Sequence, residues 1–228
     1  MWSRRRRRFS IADPASGPAL ELRDRDLVRL YWPVTLRPAF DALFGIDDAL
    51  AEILAGSTQP ALGAIRLAWW REALQRLDVA PPPPEPRLQA AAADLLTRGI
   101  SGVRLAALED GWAALLDEDC DQARIAARGA ALFAIAATLL GATDTRLDVA
   151  GSLYALADAA RRGAAPPLAA AAARDALTGH CFERALRPLT ALAALAARDV
   201  RRGAPFEAEA TPARAAALLR HRWSGKIA

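Results

Sequence analysis

The sequence predicts an all-α fold, and three observations carry that reading. Hydrophobic residues make up 53% of the 228 residues while aromatics are only 6%. The core must therefore consist largely of alanine and leucine, both strong helix formers. Apolar residues recur at helical spacing, and β-branched residues are sparse. Prolines and glycines fall between the periodic segments, and no two-residue hairpin signal stands out.

Residues 1–20 carry the run Arg4 to Arg8 and then SIADPASGPA. Turn formers with little apolar pattern read as a disordered tail. Residues 21–228 read as one helical domain. Helical pattern begins near Arg25, breaks at Pro33 and resumes from Leu36 to Leu54. AGSTQP then forms a loop, and Pro60 suits the first turn of a helix running to about Leu77. Val79 to Pro86 holds four consecutive prolines, which can only be extended. Helices follow near 87–98, 102–117 and 119–141, with Gly141 as the stop. Further segments cover 145–162, 168–177 and 180–202. Thr211 and Pro212 cap and open a last helix to about Arg222. This many helices imply a compact bundle beyond a four-helix plan.

The formal charge is +4, from 30 basic and 26 acidic residues. Without Arg4 to Arg8 the body holds 25 bases against 26 acids. A dedicated nucleic-acid domain carries its charge on the fold, so no specific nucleic-acid partner is expected. The tail has the charge to touch an anionic membrane surface or RNA; its alternative is a solvated leader. Cys120 and Cys181 lack metal-ligand spacing and fit a reduced, cytoplasmic setting. Peripheral attachment at the inner membrane is the extension that the tail suggests. No segment reaches the roughly 20 apolar residues of a membrane span; the best run, Gly129 to Ala142, is shorter and follows Arg128.

Two features bear on chemistry. In IRLAWWREAL, Trp69 and Trp70 sit side by side, and helix neighbours point about 100° apart. Leu62, Ile65, Trp69 and Ala73 form one stripe; Leu67, Trp70, Leu74 and Leu77 form another. The adjoining stripes make an apolar face wider than a surface helix needs, so burial on two sides is expected. Either both indoles are core, or one borders a cavity. The preceding helix carries FGIDDALAEIL, in which Asp48 and Glu52 share a face beside Asp47. These carboxylates either hold a hard cation such as Mg²⁺ or form a solvated face.

Together, YWPVTLRPAFDALFGIDDALAE and LGAIRLAWWREAL resemble the squalene/phytoene synthase superfamily. The resemblance covers Arg25 to Leu77 well and is traceable from Arg128 to Leu168. It implies an isoprenoid-synthase-type helical bundle around a central apolar cavity. Active members join two prenyl diphosphates head to head, with Mg²⁺ held between two aspartate-rich helices. Arg37 matches the family's first arginine. The first motif, DDxxD, reads here as Asp47-Asp48-Ala49-Leu50-Ala51, with Glu52 displaced by one residue. Asp47, Asp48 and Glu52 are thus the metal candidates. In the second motif, on GSLYALADAARRG, Asp158 falls at the asparagine and Arg161 at the diphosphate-binding arginine. Arg162 and Pro166 fall where the two aspartates belong. Arg37, Tyr154, Asp158 and Arg161 are candidates for the diphosphate end, and Trp69 and Trp70 for the cavity wall. An ion pair between Asp158 and Arg161 is the simpler role for those two.

One branch of the superfamily shares this loss of aspartates; it includes the assembly factor for mitochondrial respiratory complex I. The resemblance therefore implies a non-catalytic or weakly catalytic protein that binds a prenyl or other lipid-like ligand, or a protein partner, in membrane-complex assembly. One alternative is an active Mg²⁺-dependent prenyltransferase of isoprenoid biosynthesis. Another is a helical interaction protein without a ligand cavity.

Overall fold

A computed structural model describes residues 22–57, 59–164 and 168–227. The tail, its arginine run and Pro166 lie outside the described residues. Among the described residues all regular structure is helical, apart from one isolated antiparallel bridge between Cys181 and Lys226. The order is α1 (Asp24–Arg29), a 3-10 turn (Val34–Leu36), α2 (Arg37–Ala55), α3 (Pro60–Arg76) and α4 (Pro86–Asp94). A second 3-10 turn (Leu96–Arg98), α5 (Gly102–Ala106), α6 (Leu108–Ala113), α7 (Gln122–Leu140) and α8 (Leu147–Arg161) follow. The chain closes with α9 (Leu168–Ala176), α10 (Arg187–Arg202) and α11 (Pro212–Ser224).

Local chemistry explains these boundaries. Prolines occupy the first turn of α2, α3, α4, α10 and α11, where the missing N–H costs no helical bond. Glu85, Ser101, Asp121 and Thr211 accept hydrogen bonds from free N–H groups at their helix starts. Gly141 ends α7 in the left-handed region, at φ +65°. Two expected helices differ. The segment expected over 102–117 breaks at Ala107 into α5 and α6. The helix expected from 180 begins at Arg187, because Cys181 pairs with Lys226 and the Phe182 N–H donates to the Gly225 carbonyl at 2.9 Å.

The core centres on α7 and α8, which make the most extensive contact in the molecule. Their backbones touch where Gly129 faces Gly151. A methyl on either residue would overlap the other's carbonyl oxygen. By length and composition α7 is apolar enough to cross a membrane, longer than the run read from the sequence. Here it serves as a core helix, packed on α6 and α8, with Arg128 buried at its middle.

Helix α3 corrects an expectation. Leu67, Trp70, Leu74 and Leu77 are buried, but Leu62, Ile65 and Trp69 are exposed. Trp70 is 8% exposed and Trp69 is 49% exposed, and their rings meet edge to face at 5.6 Å. The helix is buried on one side, and the extra apolar width faces outward.

Candidate functional site

A cavity of about 250 Å³ lies among residues of α1, α2, α8, α10 and α11 and the loop before α11. Its apolar lining comes from Ala51, Ala55, Ala157, Leu192, Leu195 and Ala196, with Tyr154 beside them. Eleven of its eighteen lining residues are charged. The lining is thus mixed rather than apolar. It is also smaller than the roughly 300–1,000 Å³ pockets that enclose drug-sized ligands. Burial pushes the Tyr154 hydroxyl above the usual phenol range.

The three metal candidates on α2 diverge, because successive side chains leave a helix on different faces. Asp47 is buried inside the bundle and is not a cavity-lining residue. It accepts from the Trp112 indole N–H at 2.8 Å and from Arg128 Nη1 at 3.1 Å. Asp48 lines the cavity and is held by Arg23 at 3.2 Å and by Arg25. Glu52, four residues on, accepts both terminal nitrogens of Arg87, at 2.7 and 2.8 Å. That bond holds its carboxyl below the usual range. Each carboxylate is therefore matched to a guanidinium.

The second motif is organised differently from expectation. Asp158 pairs with Arg162, one turn along α8, at 3.0 Å, and with Arg128 at 3.4 Å. Burial opposes its charge, but Arg128 and Arg162 outweigh burial and hold its carboxyl below the usual range. Arg161 does not pair with Asp158. It reaches Asp199 on α10 at 2.9 Å and the Glu207 carbonyl at 3.1 Å. Arg162 thus neutralises Asp158 from the end of the same helix.

Three other candidates lie elsewhere. Arg37, at the start of α2, donates to the carbonyls of Leu30 and Trp32 and stays outside the cavity lining. Its role is to close the turn before α2. Trp69 and Trp70 do not line the cavity either. Trp70 packs into the core and Trp69 lies on the surface.

The residues that build the site from other elements were not singled out as site residues in the sequence. Arg128 stacks its guanidinium 3.7 Å from the Trp112 ring centre, and its Nε has no hydrogen-bond partner among the described residues. Arg214 on α11 binds both Asp24 oxygens at 2.6 to 3.0 Å and also pairs with Asp199. The signal for Arg128 was present: a charge inside an alanine- and glycine-rich helix must find a partner. Its partner Asp47 lies 81 positions away and could not be named from spacing.

As arranged, these residues do not fit a Mg²⁺ ion. A hard cation needs several carboxylate or carbonyl oxygens turned to one point, and here guanidinium groups occupy those oxygens. Among the described residues no group of three or more His, Cys, Asp or Glu side chains forms such a point. No protein-family model, no curated protein and no solved structure matches the chain.

Proposed function

We propose that this protein is a non-catalytic relative of the squalene/phytoene synthase type that acts by binding, in the assembly of membrane complexes. The observation that supports this reading is the pairing of Asp47, Asp48, Glu52 and Asp158 with arginines. Loss of a diphosphate needs cations at the leaving oxygens. Carboxylates already bound to Arg128, Arg25, Arg87 and Arg162 have little left to offer Mg²⁺. The cavity suits the polar end of a lipid-like ligand, with Ala157, Leu192 and Leu195 against its first carbons.

Incubation with farnesyl or geranylgeranyl diphosphate and Mg²⁺ tests this directly. The expected result is no released diphosphate and no coupled product, together with saturable prenyl-lipid binding. Turnover that disappears in the double variant Asp47→Ala, Asp48→Ala would overturn it and establish the prenyltransferase reading. A second reading, a helical interaction protein, draws on the exposed stripe Leu62, Ile65 and Trp69. Absence of both turnover and lipid binding would favour it.

A further inference from the structure

Away from the cavity, the end of α1, the loop before α10 and the end of α11 meet around an open basin of about 510 Å³. Its lining is Tyr31, Arg184, Arg187, Pro188, Arg222 and Trp223, with no carboxylate among these described residues. Arg222 lies over the Tyr31 ring, 4.8 Å from its centre. Arg187 is fixed by its bonds to the carbonyls of Phe182, Arg222 and Trp223 at 2.7 to 3.1 Å. Trp223 is 83% exposed. Leu30 precedes Tyr31, Leu219 lies one helical turn before Trp223, and both are exposed. From Pro212 to Ile227 the chain contains no acid, yet it carries Arg220, Arg222 and Lys226 on its surface.

We infer that this basin docks the protein on a bilayer of acidic phospholipid. The phosphate of a headgroup would sit among Arg184, Arg187 and Arg222, while Trp223, Leu219 and Leu30 enter the interface. Three chemical facts select that partner. Guanidinium forks match phosphate oxygens. An indole with one apolar and one polar edge belongs at the depth of the headgroups. Exposed leucines beside cations gain nothing on a polar nucleic acid, but gain burial in a bilayer. The charge is also local, since the body outside Arg4 to Arg8 has one more acid than base. The inference is independent of what the cavity binds.

The test is sedimentation of the full chain with vesicles of phosphatidylcholine, with and without phosphatidylglycerol. Binding is expected only with the acidic lipid and should fall as salt rises. Arg184→Gln with Arg222→Gln should weaken it about thirtyfold, from the contribution of each base near an anionic surface. Brominated lipid should quench tryptophan fluorescence, and Trp223→Phe should remove most of the quenching. All three side chains are exposed, so an unchanged thermal melt will show that these variants fold. Replacing Arg4 to Arg8 by glutamine separates the tail, and the effect of the basin substitutions should persist in that background. Equal binding by the basin double variant, equal binding to pure phosphatidylcholine, or displacement by an RNA homopolymer at equal charge would each overturn the proposal.

Discussion

Among the described residues Arg214 and Arg128 are the two most deeply buried arginines, and the bundle treats them differently. Both are 2% exposed. Arg214 meets two carboxylates, Asp24 and Asp199, and every guanidinium nitrogen is used. Arg128 holds Asp47 at 3.1 Å and Asp158 only at 3.4 Å, leans on the Trp112 ring, and leaves Nε without a partner among the described residues. The first cluster ties α1, α10 and α11 together as structure. The second links α2, α7 and α8, and it is less completely satisfied.

Removing one partner breaks the comparison most sharply. Arg214→Ala leaves Asp24 and Asp199 facing each other with less compensation, and should cost about 3–5 kcal/mol in urea unfolding. Arg128→Ala should cost less, about 1–3 kcal/mol, because Asp47 keeps the Trp112 bond and Asp158 keeps Arg162. If the two losses are equal, the distinction between the clusters fails. The double variant Asp47→Asn, Arg128→Met preserves an acceptor for Trp112 and removes both buried charges. It should lie within about 1 kcal/mol of the parent, since buried ion pairs seldom outperform well-packed neutral groups.

The smallest expected effect concerns pH. The Asp158 carboxyl stands below its ordinary value in the folded state, so its contribution is present above the unfolded value of about 4. That contribution is lost as pH falls through the folded value. Asp158→Asn should flatten the acid limb of a stability-against-pH curve and leave its neutral region with the same slope. An unchanged acid limb would show that Arg162 and Arg128 do not hold this group.

Much of the helix plan was legible because its boundaries are local. Proline at helix starts, Thr211 as a cap and Gly141 as a stop all act within a few residues. The tryptophan helix shows where locality ends. Its two stripes were visible, but which one met the core depended on where α5 and α6 pack. The arginine pairings were illegible for the same reason. Asp24 and Arg214 are 190 positions apart, and no spacing rule connects them. Asp48 and Glu52 do share a face, as their spacing required, yet each was taken by a different arginine from another element.

The close approach of Gly129 and Gly151 has a consequence for how the interior can change size. With no side chain between them, α7 and α8 have no cushion to compress and no gap to close. They behave as one wall, and Arg128 and Asp158 keep a fixed separation on it. Any expansion of the cavity to admit a longer ligand must come from its other walls, by α1, α2, α10 or α11 moving outward.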